Sequence, residues 1–224
     1  MECREYRQTE ETEIEIVQGG IKMAVAFASK EWYEQVKELA NKDEGFKKGT
    51  ADWEGAVRTV VIMDEELLKD YSREEYVRGF MSTVSLMSKE QRAQFEGTPM
   101  GNLMKKLGYS LDVDVATIDP AESAKRFSQL TLDDVKGVEM HGVFEPYHGI
   151  LREMRPIMPD EYKDARFTLT GPYSAWKALC SGKQTSVQLV MSGKMKLEGD
   201  MSYMMKHMAA MNALTKLYSQ IELV

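Results

Sequence analysis

Gly193-Lys194-Met195-Lys196-Leu197-Glu198-Gly199-Asp200, followed by Met201-Ser202-Tyr203-Met204-Met205-Lys206-His207-Met208-Ala209-Ala210-Met211, is the stretch that decides the fold. Lys194 and Lys196 alternate with Met195 and Leu197, the period-two pattern of a strand with one buried face, and Gly199-Asp200 ends it. The methionines at 201, 204, 205, 208 and 211 then fall at i, i+3, i+4, i+7 and i+10, a stripe down one face of a helix predicted over 201–218. Seven of the chain's 17 methionines lie in 191–211. Methionine is unbranched and polarizable and repacks around irregular apolar shapes, whereas a core made of it specifies its own packing poorly. The stripe therefore predicts an adaptable apolar cavity, with a face packed on a partner subunit, such as a second copy in a homodimer, as the alternative.

Working outward, 186–191 and 194–197 read as a strand pair hinged at Ser192-Gly193. Upstream, a short helix over 173–181 ends at Gly182, a left-handed cap residue. Three strands are expected at 138–144, 149–154 and 165–170, separated by Pro146 and by Pro156 with Pro159. At the front, Ser29 is a good N-cap for a helix over 30–42, whose Trp32, Tyr33, Val36, Leu39 and Ala40 share a face. The β-branched run at 55–62 reads as a strand. Between 64 and 108 the pattern is helical and opens on Asp64-Glu65-Glu66; Gly97-Thr98-Pro99 breaks it. A further helix follows Pro120, with Asp119 as its cap. Residues 1–28 read as an N-terminal arm, polar and acidic up to Gly19-Gly20.

The chain has 224 residues, 43% of them apolar and spread along its length, which excludes disorder and allows one large domain. Its net charge of −7 is uneven: 1–137 carries 19 basic and 27 acidic groups, whereas 166–224 carries seven basic against three acidic. That local excess could meet an anionic membrane surface, but it is too poor in arginine and interleaved aromatics for nucleic acid. No run of 18 apolar residues exists, and the stretch before 21–28 is acidic, unlike a signal peptide. Cys3 and Cys180 have no metal spacing and read as free thiols of a cytoplasmic protein.

Catalytic chemistry finds little support. His141 and His148 flank the turn at 144–147 and could meet across a hairpin, near Glu139 or Glu145, as an acid/base pair or metal ligands. His207, between Lys206 and Met208, reads as solvent-facing. The acidic pairs Asp112/Asp114 and Asp133/Asp134 lack the glycine and glutamate offsets of a calcium loop. Phosphate-binding and nucleophile-elbow motifs are absent. No catalytic residue, metal or cofactor is assigned.

From 165 onward the chain resembles the sterol carrier protein 2 (SCP2) family. The likeness rests on Phe167-Thr168-Leu169-Thr170-Gly171-Pro172-Tyr173, on Trp176, Leu179 and Gly182, and on the Gly193–Asp200 block already quoted. Ser29-x-x-Trp32 and Trp53-Glu54-Gly55 fit its front. Two departures stand out: Thr185-Ser186 where members carry Asp-Pro, and about 75 residues, 63–137, where members have a short connection. The resemblance implies an α+β fold, a mostly antiparallel five-stranded sheet covered by helices. A single domain over 29–224 would have its core at 29–62 and 138–224, interrupted by the insertion at 63–137. It also implies a non-catalytic carrier with a tunnel for a fatty acid, fatty acyl-CoA or sterol-like lipid. Mapped here, the tunnel would be lined by Trp32 and Val36 of the first helix and by Trp176, Leu179 and Leu189. Met191, Met195 and Leu197 would follow, then Met201, Met204, Met205 and Met208. The alternatives are an accessory subunit presenting hydrophobic thioesters to a lipid-metabolising enzyme, with the insertion as docking surface, or a small enzyme using His141 and His148.

Overall fold

The computed structural model describes residues 24–224; most of the expected arm, with Cys3, lies outside them. The described chain opens with α1 (Lys30–Lys42) and α2 (Glu44–Gly49), followed by β1 (Val57–Ile62). Four helices come next: α3 (Glu65–Tyr71), α4 (Glu74–Val84), α5 (Lys89–Ala93) and α6 (Pro99–Lys106). After α7 (Pro120–Phe127) come β2 (Glu139–Tyr147), β3 (Ile150–Pro156), β4 (Phe167–Pro172) and α8 (Tyr173–Cys180). The chain finishes with α9 (Ser186–Met191), β5 (Lys196–Gly199), α10 (Met201–Lys206) and α11 (Met208–Tyr218).

The caps explain where these helices begin. Ser29 Oγ accepts from the Trp32 amide, Asp43 starts α2 by accepting from Phe46, and Asp119 accepts from Ala121 ahead of α7. Asp64 serves two helices: one carboxylate oxygen accepts from Leu67 in α3 and the other from Ser174 in α8. Gly182 has φ of 69°, the left-handed geometry that stops α8.

The strands form one sheet in the order β3-β2-β1-β4-β5, antiparallel except for the central β1–β4 pair. Register sets Val57 against both Phe144 and Phe167, and Leu169 against Leu197. These side chains point to the face covered by α1, α8 and α11, where Trp32 stacks on Tyr218. Gly142 leaves room on this face: a Cβ there would lie 2.7 Å from Thr59 Oγ1 and 3.3 Å from the Tyr33 hydroxyl. The end of the expected arm belongs to the core, because Val25, Ala26 and Phe27 are buried and Val25 bridges Leu223.

The segment between β1 and β2 is tied firmly to this frame. Buried Asp70 accepts from the Tyr173 hydroxyl at 2.9 Å and from Lys177 Nζ at 2.6 Å. The Tyr76 hydroxyl donates to the Val224 carbonyl, and Thr83 donates to the Ala28 carbonyl.

Two expected elements differ. The segment 186–191 is helix α9, not a strand, so β5 pairs with β4 alone. Thr185 Oγ1 accepts from the Gln188 amide while the Gln188 side chain accepts from the Thr185 amide, a reciprocal cap that outweighs the β-branched Val187 and Val190. The long helix expected over 201–218 breaks at His207, giving α10 and α11. His207 is 3% exposed, which corrects its solvent-facing assignment. No described helix is long and apolar enough to cross a membrane.

Candidate ligand-binding site

The methionine stripe faces a space of about 580 Å3, partly open to solvent, between the covered sheet face and the C-terminal helices. The sheet contributes Val57, Leu169 and Leu197, and α9 contributes Val187, Val190 and Met191. Met201, Met204 and Met205 of α10 and Met208 and Met211 of α11 close it. Among the described residues, Ser186 is the only polar one in this wall and none is charged. Met191, at 83% exposure, stands at the mouth with Met201 and Met205. A smaller space of about 330 Å3 continues inward, sharing Val57, Leu169 and Met211 and adding Trp176, Leu179 and Tyr218.

Of the twelve residues assigned to the tunnel from the sequence, Met191, Leu197, Met201, Met204, Met205 and Met208 line the outer space, and Trp176 and Leu179 line the inner one. Trp32, Val36, Leu189 and Met195 line neither and are buried in the core. Met195 is turned away because Gly171 makes room for it; a Cβ at 171 would lie 2.6 Å from Met195 Cγ. Val187 and Val190 went unassigned because a strand puts residues three apart on opposite faces, whereas a helix puts them on one. The Thr185-x-x-Gln188 pattern was the available signal.

Helix α10 buries none of its own side chains and is held by its rim. Asp200 caps it through the Tyr203 amide at 3.0 Å, the first reason its carboxyl sits below the usual range, and Arg166 adds to the effect. Arg166 lies over the Tyr203 ring at 3.5 Å. The Tyr203 hydroxyl donates to the Asp52 carbonyl and accepts from the Glu54 amide, and Lys206 pairs with Asp52. His207 packs between the Trp53 and Tyr203 rings, with centroids at 5.0 and 4.3 Å.

The basic excess of 166–224 is largely engaged internally. Arg166 pairs with Asp200, Lys177 with Glu66 and Asp70, Lys196 with Glu198, and Lys206 with Asp52.

The two histidines considered as a pair do not meet. His141 lies within β2 opposite Val60, whereas His148 sits in the turn beyond it and contacts Glu54. Seven residues of extended chain put them about 20 Å apart. Burial, reinforced by the Arg58 charge, lowers the His141 pKa to about 4. In the unfolded chain the value returns to about 6.5, so between these limits the unfolded state binds the extra proton. Stability from a neutral His141 is therefore full above about pH 6.5 and is lost as pH falls toward 4. After allowance for solvent screening the loss is about 1–2 kcal/mol. Urea midpoints measured across this range should fall in the wild type, and His141→Gln should flatten that limb.

Comparison with known proteins finds similarity to one family. A model of the SCP-2 sterol transfer family matches residues 123–212, which span α7 to the start of α11 and include four of the five strands. Over that segment, about 40% of its length, the chain is similar to the SCP-2 sterol transfer family. Two solved structures share its fold. A crystal structure of sterol carrier protein 2 is 12% identical, with a TM-score of 0.50, over 87% of this chain and 98% of that one. The solution structure of a conserved hypothetical protein from Thermus thermophilus, described as possibly a sterol carrier protein, is 12% identical. Its TM-score is 0.51, over 90% of this chain and 97% of that one. No curated protein matches the sequence. The matched segment supplies most of the methionine-lined space, while central β1 and helices α1–α6 lie outside it.

Proposed function

We propose that this protein binds and carries a lipid with an acyl chain, held in the methionine-lined space without bond making. The carrying observation is the wall itself: methionines from α9, α10 and α11 face Val57, Leu169 and Leu197, with no charge among them. Each methylene removed from water contributes about 0.8 kcal/mol, so a medium acyl chain gains several kcal/mol before ordering costs are subtracted. Because no charged side chain of the described residues lines the pocket, the polar head rests at the mouth near Met191, Met201 and Met205, and affinity follows chain length more than head group. The match of residues 123–212 to the SCP-2 sterol transfer family model and the likeness in fold to a sterol carrier protein 2 structure support the same reading.

Native mass spectrometry of the full chain, as purified and after titration with hexadecanoate, tests it. The expected result is a mass increment of a co-purified lipid or of added hexadecanoate. An empty protein at saturating hexadecanoate overturns the proposal, and a stable heteromer replaces the free carrier with the accessory-subunit reading.

A further inference from the structure

The segment between β1 and β2 encloses a space of its own. It measures about 1080 Å3, part of it open to solvent, and lies beneath α4–α7 against the ends of β2 and β3. Met81, Met87, Met100, Met104 and Met140 line it, as do aromatic and aliphatic side chains including Phe80 and Phe127. None of these residues lines the C-terminal pocket, and most of the wall falls outside 123–212. The site is therefore a second one, and its argument is independent of the carrier reading.

This apolar wall contains a cation. Arg92 of α5 is 9% exposed; its Nη1 donates to the Val113 carbonyl at 2.7 Å. Its Nε is buried with no hydrogen-bond partner, and Nη2 makes no hydrogen bond to a described residue. No carboxylate among the described residues lies within ion-pair distance of the guanidinium. Asp112 is exposed; its carboxyl is held low first by Ser110 and more weakly by the charges of Lys89 and Arg92. A buried, unpaired cation costs several kcal/mol, and a guanidinium edge with two free N–H groups matches a carboxylate.

Several other polar groups of the cavity are already engaged, whereas the Tyr33 and Tyr71 hydroxyls at its wall make no hydrogen bond to a described residue. His141, its side chain 8% exposed, accepts at Nδ1 from Arg58 at 3.3 Å and has Nε2 3.5 Å from Glu139. The Tyr109 hydroxyl bonds to Ser123 Oγ. Glu139 at the rim adds a negative charge, so one guanidinium suits a single negative charge better than a phosphate dianion.

We propose that this cavity is a second ligand site that takes a long-chain monocarboxylate, the chain against the methionines and the carboxylate on the free edge of Arg92. It differs from the C-terminal pocket in reading the head group.

Titration of the full chain with decanoate and with decanol, followed by calorimetry and native mass spectrometry, tests the assignment. The wild type should take two decanoates, and the Met204→Glu/Met208→Glu variant should keep one. Adding Arg92→Met to that variant should weaken decanoate about tenfold or more and leave decanol unchanged. A double variant that binds no decanoate overturns the second site while leaving the C-terminal pocket standing. Equal weakening of decanoate and decanol by Arg92→Met overturns the role of the charge. Should Arg92→Met fail to fold, carboxyl-labelled decanoate on the double variant decides by NMR. The bound carboxyl should titrate at least one pH unit below free decanoate, and titration at the free value overturns the proposal.

Discussion

Glutamate at both 204 and 208 should empty the C-terminal pocket, lowering its affinity for an acyl chain at least 100-fold while leaving the fold intact. Met204 lies in α10 and Met208 opens α11, so the pair straddles the break at His207 and closes the same wall. A carboxylate facing a bound alkyl chain either stays ionised at a cost of several kcal/mol or takes up a proton, and each 1.4 kcal/mol is a factor of ten in affinity. Without ligand, both side chains are only partly buried, so the new charges can reach water. Circular dichroism should therefore be unchanged, with a melting temperature within a few degrees of wild type. Leu132→Glu, at an exposed position outside the pocket, serves as the control and should bind normally. Hexadecanoate binding with both stoichiometry and affinity unaltered in the 204/208 variant would place the ligand elsewhere.

The frame of the molecule was legible because its signals are local. Ser29, Asp64 and Asp119 cap where their side chains sit three or fewer residues ahead of free helix amides; a β-branched run marks β1, and prolines bound β2 and β3. The methionine stripe was legible for the same reason, being contiguous in sequence. Errors arose where two local signals competed or where tertiary contacts prevailed. Val187 and Val190 argue for a strand, yet the Thr185–Gln188 cap satisfies both orphan amides and fixes a helical turn. His207 follows charged Lys206 in sequence, but Trp53, some 150 residues earlier, provides the ring that buries it. The cavity under α4–α7 was not legible at all. Its methionines come from α4 (Met81), the turn after it (Met87), α6 (Met100 and Met104) and β2 (Met140), and no single periodicity connects elements that meet only after docking. Arg92 likewise looks like an ordinary surface arginine of a short helix until the loop around Val113 folds over it.

Trp53→Ala should produce the largest loss of stability of any single change considered, about 3–5 kcal/mol. Trp53 is fully buried, donates from Nε1 to the Gly55 carbonyl at 2.8 Å, and touches the rings of Phe167, Tyr203 and His207. It therefore joins β4 in the sheet to the break between α10 and α11. Domains of ordinary stability have about 5–15 kcal/mol in total, and for a chain of this size each kcal/mol corresponds to about 2–4 °C in melting temperature. A fall of roughly 10 °C is expected. The distribution of the loss carries the sharper test. Helix α10 buries nothing of its own, so once the support behind Tyr203 and His207 goes, its amides should exchange much faster, while those of β1 and β2 keep most of their protection. Trp53→Phe keeps a ring but loses the Nε1 bond, and should fall between wild type and alanine. A loss below 1 kcal/mol, or exchange that accelerates equally in α10 and in β1, would mean that the methionine-bearing helix is held by its Asp52, Glu54 and Arg166 contacts and does not depend on the ring behind it.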